Sequence, residues 1–355
     1  MNEIQGGFLM YFKSPKIRLI CLSLIILSIL FVGCHRKEEP PVEIIKVRVN
    51  EVIRSPLYAP FYVALDQGFF KEEGLDIELA TSWDGGITRD GLLEGQWEIG
   101  LLGIDTSIQV YQQNQDIRLI NFAQLTQRDG SFLVAREPAP VFKWKDLQRK
   151  IIIGGRKGST PQVILEYLLK NNNLNPQKDV EIIHNLDINS TRGAFIGGVG
   201  HYVQLLEPAL SLLEKGEIGQ TMIYLGQHAG ILAHTSFMAT NQFIKENPKH
   251  IQGFTNAIYK GQIWCANHTV EEISQRIKDY FPDYDSTIIA KGVKRYKEYG
   301  AWSPNPLIKS EGLEKLQNIM MKVGELVKEI PYETLVDKSF AEKAIEDIPL
   351  PEIKE

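Results

Sequence analysis

The chain has 355 residues, with 39 Lys and Arg against 44 Asp and Glu and a formal charge of −5. Hydrophobic residues make up 43% and charged residues 23%, an ordinary globular balance that is too apolar for a disordered chain and holds about two domains at this length. No face is basic enough for broad nucleic-acid binding, and three cysteines, Cys21, Cys34 and Cys265, make neither a disulfide scaffold nor a four-cysteine zinc site.

Residues 19–32 read LICLSLIILSILFV, without a charge, behind Lys13, Lys16 and Arg18. A bilayer span needs ~20 apolar residues, so this shorter run behind a basic stretch has the pattern of a signal peptide. Gly33-Cys34 at its end resembles a bacterial lipobox, although Phe31 stands where that motif usually has Leu. Cys34 would then be lipidated and become the first mature residue. Two or more acyl chains, at ~0.8 kcal/mol per buried CH₂, hold a protein stably at a membrane. The alternative is a plain membrane anchor with a buried cysteine. Residues 34–43, with Pro40-Pro41, form a short tether. Without residues 1–33 the balance is 36 basic against 43 acidic residues, or −7. The expected location is the extracytoplasmic face of the cell membrane.

The mature chain opens as a β-α-β-α-β series. Ile44–Ile53 is β-branched and reads as a strand. Pro60–Phe70 carries Phe61, Ala64, Leu65 and Phe69 at helical spacing. Leu75–Ala80 is a strand, Ile87–Leu93 a helix and Glu98–Leu102 a strand. Short connections in this order imply a parallel sheet covered by helices. The pattern restarts with strand Lys150–Gly154, helix Thr160–Asn171, strand Val180–His184, helix Arg192–Ile196, strand Tyr202–Leu206 and helix Ala209–Lys215. Two extended apolar segments, Ser131–Arg136 and Thr235–Ala239, join the halves and read as paired crossover strands at a hinge. Beyond Asn241 five helices follow: Pro248–Cys265, Thr269–Phe281 with a capping box at Thr269 and Glu272, Asp285–Tyr299, Ser310–Val327 and Tyr332–Ile345. They are expected to pack on the first half.

The run YAPFYVALDQGFFKEEGLDIEL at 58–79 closely resembles the substrate-binding components of ABC importers, in the branch that takes nitrate, aliphatic sulfonates, taurine and thiamine-type pyrimidines. Two further matches keep order and spacing: GLLEGQWEIGLLG at 91–103, with Trp97-Glu98 where the family has a small or apolar residue and Asp, and Lys145-Asp-Leu before KIIIGG at 150–155. The Trp97-Glu98 departure is expected to affect a turn rather than the ligand. The resemblance covers residues 44–345. It implies an α/β clamshell of the periplasmic-binding-protein type: two lobes, each a mainly parallel sheet flanked by helices, with extra C-terminal helices. The expected division is 44–134 with 236–348 as one discontinuous lobe and 135–235 as the other. The resemblance also implies a small-molecule ligand and delivery to an ABC permease. The ATPase would be a separate subunit, because this chain has no GxxxxGK[ST] loop. A monomer that uses no cofactor and no metal is expected.

Ligands in open α/β sheets sit outside the carboxyl ends of strands, which singles out five loops. Ser55 and Tyr58 offer a hydroxyl and a ring. Trp83, Gly85 and Gly86 offer a ring and close backbone approach. Asp105 and Thr106 open a helix, where Asp105 could equally be a cap. Arg156, Gly158, Ser159 and Thr160 combine a cation, a hydroxyl and free amides that suit an anion. Gly198 and Tyr202 join flexibility to a phenol. Glu207 at the end of the next strand and Gln124 near the crossover complete the candidates. Arg128 could line the same region or pair with Asp129. Each of these positions has a structural alternative as a cap, a core residue or a solvated charge. The aromatic set favours a flat heterocycle such as a thiamine-type pyrimidine. The Arg156–Thr160 loop favours a sulfonate, taurine or nitrate-type anion. An enzyme that makes or hydrolyses such a pyrimidine on the same fold is the rival. It lacks support from the scattered histidines and the absent GxSxG elbow, and Cys265 reads as a buried hydrophobe.

Overall fold

The computed structural model describes residues 44–137 and 140–350. The apolar N-terminal run, Cys34 and the tether lie outside the described residues. Among the described residues ten strands occur in chain order: β1 (Ile45–Glu51), β2 (Leu75–Thr81), β3 (Ile99–Gly103), β4 (Leu119–Thr126), β5 (Phe132–Ala135), β6 (Ile151–Ile153), β7 (Glu181–Ile183), β8 (Tyr202–Leu205), β9 (Gln220–Tyr224) and β10 (Thr235–Thr240). They form two five-stranded sheets of identical plan, β2-β1-β3-β10-β4 and β7-β6-β8-β5-β9. In each sheet one strand is antiparallel to its neighbours, β10 in the first and β5 in the second.

The two extended joining segments therefore do not pair with each other, as the sequence pattern had suggested. Each is the first strand laid down after the chain changes sheet, and it slots in fourth, antiparallel. The outward crossing, Gln127–Ser131, precedes β5, and β5 belongs to the second sheet. The return runs from Leu225 to His234. β4 and β9 carried no clear strand signal. β4 is buried at all eight positions, which removes the alternation that marks a half-exposed strand.

The first lobe carries helices α1 (Ala59–Asp66), α2 (Phe69–Glu72), α3 (Gly85–Leu93) and α4 (Asp105–Gln113). The expected single helix at 60–70 breaks at Gly68, which adopts φ +75. The second lobe carries α5 (Thr160–Asn171), α6 (Ile188–Ile196), α7 (Ala209–Lys215) and α8 (Leu225–Ala229). The C-terminal part contributes α9 (Asn241–Glu246), α10 (Pro248–Asn267), α11 (Val270–Ile277), α12 (Ser286–Glu298), α13 (Ser310–Val323), α14 (Tyr332–Leu335) and α15 (Ser339–Asp347).

The first core centres on aromatic side chains from four elements. Phe61 of α1 meets Phe70 of α2 and Phe237 of β10 edge-on, and Phe254 of α10 closes the group, 4.9 Å from both Phe70 and Phe237. Edge-to-face contacts suit the ring quadrupoles. Gly261 lets α10 lie directly on α1, since a Cβ there would stand 2.2 Å from the Pro60 carbonyl oxygen. The Trp97-Glu98 departure is structural: Glu98 accepts from the Arg48 amide at 2.7 Å and pairs with the Arg48 guanidinium.

Not all the C-terminal helices stay on the first lobe. α10, α11 and α15 do. α13 instead packs on α5, and Leu313, Leu316, Ile319 and Met320 enter the second core beside Val163 and Ile164. α12 bridges both lobes. It lies on the turn Pro56–Tyr58 and also on α7: Arg295 pairs with Glu214 of α7 and with Glu207 just before that helix, and Lys291 pairs with Glu214 at 2.5 Å. An apolar stripe shows that a helix face is buried without naming the partner, so the sequence could not assign α13 to a lobe. Phe254→Ala should cost ~3–5 kcal/mol through the cavity it leaves. Urea unfolding should show this as a lower midpoint, and a loss under ~1 kcal/mol would contradict the packing described.

Candidate functional site

Both sheets point the carboxyl ends of their parallel strands at a common cleft, which encloses a cavity of about 300 Å³. Ten of the expected residues line it: Tyr58, Trp83, Gly85, Asp105, Thr106, Arg156, Gly158, Ser159, Thr160 and Glu207. Five do not, each for a local reason. Ser55 is fully buried, caps the Pro56–Tyr58 turn through Leu57 N and donates its hydroxyl to the Glu207 carbonyl at 2.6 Å. The Gly86 amide is taken by the capping carboxylate of Asp84 at 2.6 Å. Gln124 is spent inside the first lobe, on the carbonyls of Thr126 and Leu232. Gly198 makes an exposed turn at φ +97 behind α6. Tyr202 belongs to the second core. Glu207 borders the cavity, yet its carboxylate is occupied by Arg295 and by the amide and hydroxyl of Ser211.

Arg54, Arg89, Gln109, Asn189, Arg192 and His234 also line the cavity. Asn189 and Arg192 follow β7, so the strand-end rule would have reached them had it been applied to that loop. His234 precedes an antiparallel strand and carries no such signal. Arg54 is not free: its guanidinium binds Glu51 at 2.5 Å, the Thr81 hydroxyl at 2.8 Å and the Tyr280 carbonyl. Arg192 makes no ion pair among the described residues, and Arg156 reaches no carboxylate closer than 3.9 Å, at Asp84. With Glu207 neutralised by Arg295, Asp105 is the remaining cavity carboxylate. The wall is therefore electropositive.

The lobes touch across the cleft. Thr160 donates to Asp105, and Gln109 Nε2 donates to the Gly158 carbonyl. Burial pushes Asp105 up to about 6, partly offset by the Thr160 hydroxyl. Behind the cavity the two crossings meet. Asp129 on the outward crossing is wholly buried, bound to Ser131, and desolvation pushes it up to about 6. His234 on the return crossing shares Nδ1 between the hydroxyls of Thr126 and Thr235, at 2.8 and 2.9 Å, and burial pushes it down to about 3. Its Nε2 stands 4.0 Å from Asp129. Arg128 turns away and reaches the Gly226 carbonyl at 3.4 Å rather than pairing with Asp129.

A family model described as "NMT1/THI5 like" matches residues 55–272. The chain belongs to this family. YtlA of Bacillus subtilis (strain 168), described as "Putative binding protein", is 44% identical over 323 residues, covering 91% of this chain and 96% of that one. Two solved structures share the fold at low identity. The periplasmic nitrate-binding protein NrtA from Synechocystis PCC 6803 has a TM-score of 0.69 at 16% identity, over 87% of this chain and 90% of its own. The alkanesulfonate-binding protein SsuA from Xanthomonas axonopodis pv. citri, bound to MOPS, has 0.68 at 13%, over 85% and 100%.

In this member of the family, Cys265 lies in the first core, with its thiol pushed up by burial, so it offers the cavity no nucleophile. Among the described residues no three His, Cys, Asp or Glu gather to hold a metal, and no helix is long and apolar enough to cross a membrane.

The buried acids and the buried histidine pull stability in opposite directions with pH. Asp129 keeps a proton in the folded chain between about 4 and 6 that it would lose when unfolded, so its contribution to stability falls as pH rises through that window. His234 refuses a proton that the unfolded chain takes up below about 6.5, so its contribution is lost as pH falls toward 3. Relative to the wild type, His234→Gln should therefore gain stability as pH falls from 7 to 4, and Asp129→Asn should gain stability as pH rises over that range. Urea midpoints at pH 4, 5, 6 and 7 check this. Parallel profiles for the two variants would contradict it.

Proposed function

We propose that the protein is the extracytoplasmic solute-binding component of an ABC importer, held at the membrane through lipidated Cys34, which closes two lobes on a small organic anion and presents it to the permease. The single observation that carries the anion is the electropositive wall, where Arg89, Arg156 and Arg192 face one cavity in which Asp105 is the remaining carboxylate. Guanidiniums are forked donors suited to sulfonate, carboxylate and phosphate oxygens. Transport is supported by family membership and by a relative 44% identical that is described as a binding protein. The paired crossings, 127–131 and 225–234, are where lobe rotation would be absorbed. Closure becomes directional when a ligand favours the closed state over the open one. A separate ATPase would supply the energy.

A second reading keeps a flat heterocycle, such as a thiamine-type pyrimidine. It rests on Trp83, which lines the cavity in a left-handed conformation at φ +60. That conformation costs a non-glycine residue about 1 kcal/mol or more, and such strain collects at ligand clamps. Of the other two rings expected there, Tyr202 is in the core and Tyr58 is 5% exposed.

Thermal shift and titration calorimetry with nitrate, methanesulfonate, benzenesulfonate, phenyl phosphate and a neutral aminopyrimidine test both. At least one anion should raise Tm and shrink the radius of gyration. Stabilisation by the neutral pyrimidine alone, abolished in Trp83→Ala, would replace the first reading by the second.

A further inference from the structure

The loop that carries Arg156 is held from behind by two buried glutamines, one at each of its flanking glycines. Gln204 of β8 accepts from the Gly155 amide at 3.1 Å, and its Nε2 donates to the Ser131 hydroxyl at 2.7 Å and to the Pro161 carbonyl at 2.9 Å. Ser131 in turn donates to the buried carboxylate of Asp129. Gln162 of α5 accepts from the Gly158 amide at 2.9 Å and donates Nε2 to the buried carboxylate of Glu166. Each side-chain amide therefore turns its nitrogen toward an acid and its oxygen toward a glycine of the loop. Further contacts fix the backbone between them. His184, just after β7, donates Nδ1 to the Gly155 carbonyl at 3.0 Å, and the Ser159 hydroxyl donates to the Arg156 carbonyl at 2.6 Å. The turn is tight, since a Cβ on Gly155 would stand 3.0 Å from the Gln162 backbone nitrogen and Gly158 adopts φ +83. Both glycine amides are thus spent on the fold, and the charge that the loop brings to the cavity is the Arg156 guanidinium.

We propose that Gln204 and Gln162 are positioning residues for anion binding: oriented by Asp129 through Ser131 and by Glu166, they fix the backbone on both sides of Arg156 and so place its guanidinium in the cavity wall. This rests on the anion reading above and deepens it. A flipped glutamine would set Nε2 against a glycine N–H and Oε1 against an acid or a carbonyl, leaving buried polar groups unpaired. The two acids therefore select one orientation of each glutamine. A long cationic side chain gives up less freedom on binding when its backbone is already fixed, which raises affinity without a new contact. Gln204 borders the cavity, but both hydrogens of its Nε2 are taken by Ser131 and Pro161. Ser131, Asp129, Gln162 and Glu166 lie behind the lining residues, so they reach a ligand only through the loop.

The test is a double-mutant cycle on the mature full-length chain, with benzenesulfonate and phenyl phosphate as probes. Calorimetry reads affinity, and urea midpoints confirm that each variant is folded. Arg156→Gln should weaken the better-bound probe about tenfold, the scale of a lost charged hydrogen bond. Gln162→Met and Ser131→Ala, which leave the cavity lining intact, should each weaken it several-fold. Added to Arg156→Gln, neither should weaken it further, because no guanidinium is left to position; a general loosening of the cleft would instead multiply the losses. Gln162→Glu sets two acids together and should bind as poorly as Gln162→Met. Combining it with Glu166→Gln restores one donor and one acid, and should restore affinity. The variants at Ser131 and Gln162 sit on different elements, so misfolding of one leaves the other to decide. If both bind the anion as the wild type does, if their losses multiply with Arg156→Gln, or if the exchanged pair fails to restore affinity, the positioning role is overturned while the anion-binding reading stands. Wild-type affinity in Arg156→Gln overturns it in the same way. If the wild-type chain binds neither probe, both fall.

Discussion

The site depends on one constraint of chain routing: each sheet receives its antiparallel strand directly after a crossing. β5 and β10 enter fourth in their sheets, between parallel neighbours. That insertion leaves the other four strands of each lobe with their carboxyl ends on one side, and two crossings set those sides face to face. Every cavity loop except the His234–Thr235 segment follows a parallel strand or belongs to the C-terminal helices. The cleft thus gathers loops, helix starts and glycine turns, which are the parts of an α/β fold best able to approach a small anion.

The C-terminal helices qualify a picture of two lobes linked only by a hinge. α12 is fastened through Arg295 to Glu214 of α7 and to Glu207 just before that helix, and α13 shares the second core. Glu207 is fully buried, and desolvation raises it despite the adjacent guanidinium. A buried pair of this kind gains little net stability over an apolar substitute, yet breaking one partner is costly. Its value here is positional. It ties the end of β8, which borders the cavity, to a helix that also rests on the Pro56–Tyr58 turn. Movement of the lobes must therefore carry α12 and α13 with the second lobe or break these contacts.

Electrostatics divides the cavity into a wall that is fixed and a mouth that is not. Arg54 and Glu207 are neutralised inside the protein by Glu51 and Arg295. Asp129 and His234 are held in low dielectric behind the cavity, each displaced toward its neutral form. Arg89, Arg156 and Arg192 line the cleft; Arg192 makes no ion pair among the described residues, Arg156 only a 3.9 Å one with Asp84, and Arg89 pairs with Asp90 on its own helix. The same burial that quiets the inner groups leaves the outer ones to choose a ligand by its sign.

Much of the architecture is written in local pattern. The repeated β-α-β order, the strand and helix identities of most elements and the family resemblance at 58–79 all follow from periodicity and short motifs, because neighbouring residues decide them. The Arg156–Thr160 loop and the Trp83–Gly85 turn were legible for the same reason, since a loop after a parallel strand faces the cleft wherever the sheet lies. What local pattern could not decide is which groups meet across the fold. Ser55, Gln124 and Tyr202 look like ligand groups in isolation, and tertiary packing uses them up. Arg89 looks like a solvated helix residue, and it lines the cavity only because two lobes fold against each other. The sequence by itself determined the two lobes and the loops that form the cleft. The tertiary structure alone decided which side chains in those loops remain unpaired, because pairing is a property of long-range contacts and burial rather than of spacing along the chain.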